Sequence, residues 1–153
     1  MINMPRKEYR QRERRYVPEY VNEKYPERVA VFYNMAVGPA PKELYKANPE
    51  IPLAHFRRWR FWIDAVVILK DRMVLLEGKL RKPAEGLGQL LLYRALLPQT
   101  PELEPYKWLS IEMVLVTPRP DPRVIGVANS LGINIVIWSK PWVQDYLRSL
   151  GFA

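Results

Sequence analysis

The chain has 153 residues, 48% hydrophobic and 26% charged, which suits one domain with its own core and no covalent staples. It contains no cysteine, which excludes a disulfide scaffold, a thiolate zinc site and an iron–sulfur cluster. A formal charge of +8 favours a polyanionic partner, nucleic acid before anionic membrane, and no apolar run approaches the roughly 18 residues of a membrane span.

Residues 1–17 read as a basic arm, with Arg6, Lys7, Arg10, Arg12, Arg14 and Arg15 set against Glu8 and Glu13. No periodicity anchors it, so a frayed helix and an extended tail are both open. Its start lacks the apolar stretch of a secretory signal. Together with the missing cysteines, this predicts a cytoplasmic protein, or a virion component if the source is viral. Few thermolabile residues and proline-rich loops, with fifteen prolines in all, lean towards a thermophilic source.

Residues 18–153 read as one α/β domain. Pro18 to Glu27 predicts a short helix, with Pro18 near its start and Glu19, Glu23 and Glu27 one turn apart. Val29 to Val37, rich in β-branched and aromatic residues, predicts a strand. A proline-punctuated loop follows over 38–55, with one helical turn around Glu43 to Ala47. Arg58 to Leu69 and Met73 to Leu80 predict two strands joined by a tight turn at Lys70–Asp71–Arg72. Pro83 to Leu97 predicts a helix, with Pro83 in its first turn and Leu87, Leu90, Leu91, Ala95 and Leu97 buried. Ile111 to Thr117, Pro122 to Leu131, Ile133 to Trp138 and Pro141 to Leu150 complete the order as strand, helix, strand, helix. The early strands pair by hairpins and run antiparallel. The later ones follow helical crossovers and run parallel. The expected architecture is a mixed sheet with helices on both faces.

Three charges interrupt the apolar hairpin IDAVVILKDRMVLLEGKL: Asp64, Glu77 and Lys79. Strand side chains alternate faces, so Glu77 and Lys79 share one. Asp64 joins them if it lies opposite Glu77, through a Lys70–Asp71 loop, or opposite Lys79, through an Asp71–Arg72 loop. A three-residue loop separates them. Two-residue loops are the commonest hairpin connections, which favours the cluster. Two carboxylates can hold Mg²⁺ or Mn²⁺ with positions left for water and a phosphate. A lysine beside them can orient the water and neutralise developing charge. The plain alternative is a cross-strand ion pair.

Asp64 followed by Glu77-Gly78-Lys79 resembles the D…(D/E)xK signature of the PD-(D/E)xK nuclease superfamily. Gln89 and Tyr93, four apart on the next helix, are similar to the QxxxY motif of its RecB-like branch. Ile63 stands where the family often has proline. The resemblance covers about residues 58 to 138. It implies a restriction-endonuclease-like fold built on an α-β-β-β-α-β core, and a metal-dependent nuclease acting on DNA in repair, recombination or phage DNA processing. It further implies Asp64 and Glu77 as ligands of Mg²⁺ or Mn²⁺, Lys79 as the residue handling water, and Gln89 and Tyr93 beside the strand. An upstream ligand is expected from the first helix, Glu23 before Glu27, or else from His55, the one histidine.

Arg58, Arg60, Trp62 and Asp64 alternate along one strand, which predicts backbone and base contacts leading to the acids. Arg81 and Lys82 precede a helix N-terminus, itself attractive to phosphate. Arg12, Arg14 and Arg15 of the arm add phosphate contacts that weaken with salt. Trp108, Trp138 and Trp142 are expected in the core or at its edge. The arm alternatively docks a second copy or a viral or replication partner. A competing reading is a non-catalytic nuclease-fold protein of virion assembly, in a head, neck or packaging role. No amphipathic helix with a basic polar face supports membrane binding.

Overall fold

The computed structural model describes residues 6–39, 46–52 and 60–152, and residues 6–12 by their backbone alone. Helix α1 (Arg6–Lys24) leads into strand β1 (Ala30–Val37). Strands β2 (Phe61–Ile68) and β3 (Arg72–Gly78) follow, then helix α2 (Pro83–Leu96) and two short 3₁₀ segments, Leu97–Gln99 and Pro101–Tyr106. Strand β4 (Ser110–Thr117), helix α3 (Pro122–Ser130), strand β5 (Ile133–Ile137) and helix α4 (Pro141–Ser149) complete the order.

The strands lie side by side in sequence order. β1–β2 and β2–β3 are antiparallel, and β3–β4 and β4–β5 are parallel. This is the mixed α/β sheet of a restriction-endonuclease-like fold. The parallel pairs follow from the connections, since β3 reaches β4 through α2 and β4 reaches β5 through α3.

The hairpin settles the register. Leu69 N–H donates to Arg72 C=O at 2.9 Å, leaving Lys70–Asp71 as a two-residue loop. Ala65 faces Leu76 and Ile68 faces Met73. The same register sets Asp64 opposite Glu77.

Both faces of the central strands are covered, which explains their near-continuous apolar sequence. On one face Val66, Ile68, Met73, Leu75 and Leu115 pack under Leu87, Leu90 and Tyr93 of α2 and Val124 and Ala128 of α3. On the other, Ala65, Val67, Val74, Leu76 and Val116 pack under Tyr16, Val17, Tyr20 and Val21 of α1 and Val143, Tyr146 and Leu147 of α4.

Four expectations need correction. The supposed arm and first helix are one element, because α1 begins at Arg6 and carries Pro18 inside it. An internal proline costs a helix about 3 kcal/mol. Burying Tyr16, Val17, Tyr20 and Val21 offsets that at roughly 1.5–3 kcal/mol for each large side chain. On α2 the buried positions are Gly86, Leu87, Leu90 and Tyr93, followed by Leu97, whereas Leu91 and Ala95 are exposed. Gly86 lets the helix sit close to β4, since a Cβ there would lie 2.5 Å from Leu115 Cδ1. Strand β2 starts at Phe61, so Arg60, expected within it, lies just before it. Trp108 is 73% exposed rather than packed, while Trp138 is buried and Trp142 half-buried.

Candidate active site

The hairpin ends in a reciprocal clasp. The Asp64 N–H donates to Glu77 Oε1 at 2.9 Å, and the Gly78 N–H donates to Asp64 Oδ2 at 2.9 Å. Each carboxylate is thus held by the backbone of the other strand, with a second oxygen left over. Glu77 is only 2% exposed and Asp64 is half-buried. Burial pushes the Asp64 carboxyl above its ordinary range, against the Gly78 N–H and the Lys79 charge. Burial also raises Glu77 strongly, and the neighbouring Asp64 charge adds to it. Two acids crowded this way cannot both ionise without a counter-charge.

Lys79 supplies part of that charge. Its backbone N–H donates to Val116 C=O at 2.9 Å, which carries the chain past the end of β3 alongside β4. Its stem runs beside α2, where a Cβ on Gly86 would lie 3.3 Å from Lys79 Cγ. The Lys79 charge favours the ionised forms of Asp64, Glu77 and Glu13.

Asp64 and Lys79 open into a cavity of about 330 Å³ whose lining includes Glu13, Asn34 and Arg81. The close seat of α1 delivers Glu13. A Cβ on Gly78 would lie 2.5 Å from Val17 Cγ2, so the bare glycine lets the helix rest directly on the strand end. Burial raises the Glu13 carboxyl, opposed by Lys79 and reinforced by Asp64. Arg81 Nε stands 3.9 Å from Glu13 Oε1.

From the opposite face, α2 contributes Gln89 and Tyr93. The Tyr93 hydroxyl is raised by burial and then by the charges of Glu77 and Asp64, which places it within their electrostatic reach. Gln89 Oε1 is buried and accepts no hydrogen bond. Neither Gln89 nor Tyr93 lines the cavity that Asp64 and Lys79 open into.

Asp64 and Glu77 could hold Mg²⁺ or Mn²⁺, since a cation would offset the burial that raises both acids and the Asp64 charge that raises Glu77 further. Among the described residues no three of His, Asp and Glu close into a ready-made cage.

Several expected residues lie elsewhere. Glu23 is not at the site: its Oε2 accepts from Trp138 Nε1 at 2.6 Å and pairs with Lys140 Nζ at 3.4 Å. Glu27 is exposed beyond the end of α1 and does not line the cavity. Arg60 is buried, bidentate to Glu102 at 2.7 and 2.9 Å, and donates to the Gly38 carbonyl, so it serves the fold rather than a nucleic acid. Trp62 is half-buried in β2, opposite Ala36 of β1. Arg14, Arg81 and Lys82 line the cavity, whereas Arg15 lies over the Trp142 ring and pairs with Glu19. His55, Arg58 and the side chain of Arg12 lie outside the described residues. Glu13 was missed, although a signal existed: Glu13, Tyr16, Val17, Tyr20 and Val21 fall at i, i+3, i+4, i+7 and i+8 of one helix face.

No protein-family model matches the chain, and no curated protein matches it in sequence. Solved structures that the chain is similar to include a repair endonuclease from Pyrococcus abyssi, at 16% identity and a TM-score of 0.46 over 82% of this chain and 46% of that one. A protein of unknown function, AF1548, is 12% identical with a TM-score of 0.50 over 92% of this chain and 65% of that one. Protein VC1899 from Vibrio cholerae is 17% identical with a TM-score of 0.49 over 90% of this chain and 31% of that one. The chain therefore spans less than two-thirds of the length of each, and identities this low bear on fold alone.

Proposed function

We propose that the protein is a metal-dependent nuclease that hydrolyses DNA phosphodiester bonds. The observation that carries this reading is Asp64, clasped to the buried Glu77, opening with Lys79 into a cavity rimmed by Arg14, Arg81 and Lys82. A structural ion pair gives no reason to bury two carboxylates against each other at the mouth of a basic cleft.

Asp64 and Glu77 would hold Mg²⁺ or Mn²⁺, and Glu13 takes over the role expected of Glu23 as the carboxylate supplied by the first helix. Held by these carboxylates, such a cation would supply Lewis-acid activation of water and offset charge on the phosphate. Lys79 orients the attacking water and balances the negative charge that builds on the phosphoryl oxygens. Gln89 and Tyr93 position the strand from the α2 side. Arg81 and Lys82 draw the phosphates in, beside the N-terminus of α2.

The test is incubation of purified protein with linear, nicked, branched and single-stranded DNA in Mg²⁺ or Mn²⁺. Cleavage is expected only with the metal, and Lys79→Ala lowers its rate by about a hundredfold or more with the fold intact. Absence of metal-dependent cleavage on every substrate rejects the catalytic reading.

A further inference from the structure

Edge strand β1 leaves regular geometry at one residue. Asn34 has φ of +47°, the one positive value among described residues other than glycine. Tyr33 pairs with Ala65 and Met35 pairs with Ile63, so the register sets Asn34 directly opposite Asp64, yet the ladder skips that pair. Burial changes at the same point. Tyr33 and Asn34 are both exposed, while Met35, Ala36 and Val37 are all buried. Across the gap, Asp64 keeps partial exposure although Ile63 and Ala65 on either side are shut off from solvent. At the point where β1 leaves the ladder, Asn34 lines the cavity with Asp64 and Lys79.

A left-handed backbone costs an ordinary residue about 1–2 kcal/mol, and asparagine is the residue besides glycine that visits it most readily. Twist alone needs only the backbone shape, which glycine gives as well. What asparagine adds is a carboxamide, an uncharged donor and acceptor, at the mouth of a site crowded with acids. An N–H₂ there can meet a phosphate oxygen without repelling it and without adding a charge to compete for a cation. A carboxylate of the same shape would do the reverse.

We propose that Asn34 is a substrate-contacting residue, its carboxamide donating to a phosphate of the nucleic-acid strand that lies over Asp64. The inference rests on the phosphodiester reading above, and its test has a readout that does not need turnover. Labelled DNA binding is measured by fluorescence anisotropy in Ca²⁺, cleavage in Mn²⁺ and thermal stability in both, for the wild type, Asn34→Gly and Asn34→Asp. Asn34→Gly keeps the backbone conformation and removes the amide. Asn34→Asp keeps the shape and places a charge against the phosphate.

The expected result is DNA binding about tenfold weaker in Asn34→Gly and weaker still in Asn34→Asp, with melting temperatures close to wild type. Cleavage falls in the same order. If Asn34→Gly melts early, Asn34→Asp decides alone. Wild-type DNA binding in either variant that folds overturns the proposal. A wild type that binds DNA but never cleaves it, with binding still lost in the variants, leaves Asn34 as the contact and removes the hydrolytic reading. A wild type that does not bind DNA overturns both.

Discussion

Glu77 and Asp64 set the behaviour of the site at the scale of single residues. Glu77 is buried beside another acid, so its folded pKa lies well above the ordinary 4.5. Between those values the folded protein keeps a proton at Glu77 that the unfolded chain releases. The folded state then binds more protons, and stability falls as pH rises from the unfolded value towards the folded one. Calorimetry of the metal-free protein should show a melting temperature that drops from pH 5 to pH 8. Glu77→Gln should remove most of that slope and raise the melting temperature at pH 8, by about 2–4 °C for each kcal/mol regained. Mn²⁺ should restore stability in the wild type and not in the variant. Glu13 gives a second residue-scale expectation. Glu13→Gln should weaken Mn²⁺ binding measured by titration calorimetry, whereas Glu23→Gln should leave it unchanged, because Glu23 is bonded to Trp138 and Lys140. The clustering of Asp64, Glu77 and Lys79 was legible in the sequence because strand parity follows from spacing once the loop has two residues. Glu13 was not, because Pro18 suggested a helix start and so hid the face that continues back through Tyr16 to Glu13. Arg60 misled for a different reason: charge in a sequence does not say whether its partner is a phosphate or Glu102.

Among the elements, α1 is the one whose placement the site depends on most, and Gly78 controls it. A methyl at Gly78 would meet Val17 and Tyr16 at 2.5 and 3.2 Å, so Gly78→Ala must push α1 away from the end of β3. Overpacking of this kind costs typically 1–3 kcal/mol. Thermal denaturation should show that loss, and cleavage should fall further than the stability change explains, because Glu13 moves with the helix. Adding Val17→Ala, which removes the nearer obstacle, should recover part of both. The glycine was read from the sequence only as the variable position between Glu77 and Lys79. Nothing in a linear pattern announces that a helix from elsewhere in the chain will lie against it. The order of strands and helices, by contrast, was visible, since each switch of apolar period is local. The rotation of α2 was not, because Leu91, Ala95 and Tyr93 are distinguished by how closely Gly86 lets the helix approach β4.

For the whole molecule, the net charge of +8 predicts DNA affinity that declines steeply with salt. Each phosphate contact contributes a slope of about −0.9 in log affinity against log salt on duplex DNA. Lys82→Ala should flatten that slope by about one such unit in anisotropy titrations across a salt series. Arg60→Ala should leave the slope alone and instead lower stability by about 1–2 kcal/mol, since it strips a part-buried pairing with Glu102 and a hydrogen bond to the Gly38 carbonyl. The two variants separate charge that meets a partner from charge that holds the fold, a distinction composition cannot make. The clasp between Asp64 and Glu77 has a consequence in the order of folding as well. Its partners are thirteen residues apart and joined by a tight turn, so the acid pair forms as soon as one hairpin zips. Glu13 arrives only when a distant segment closes a long loop onto the finished sheet, a slower and entropically costlier event. Cation affinity is therefore expected to mature in two kinetic phases, a fast weak one with the hairpin and a late tight one with the docking of the first helix.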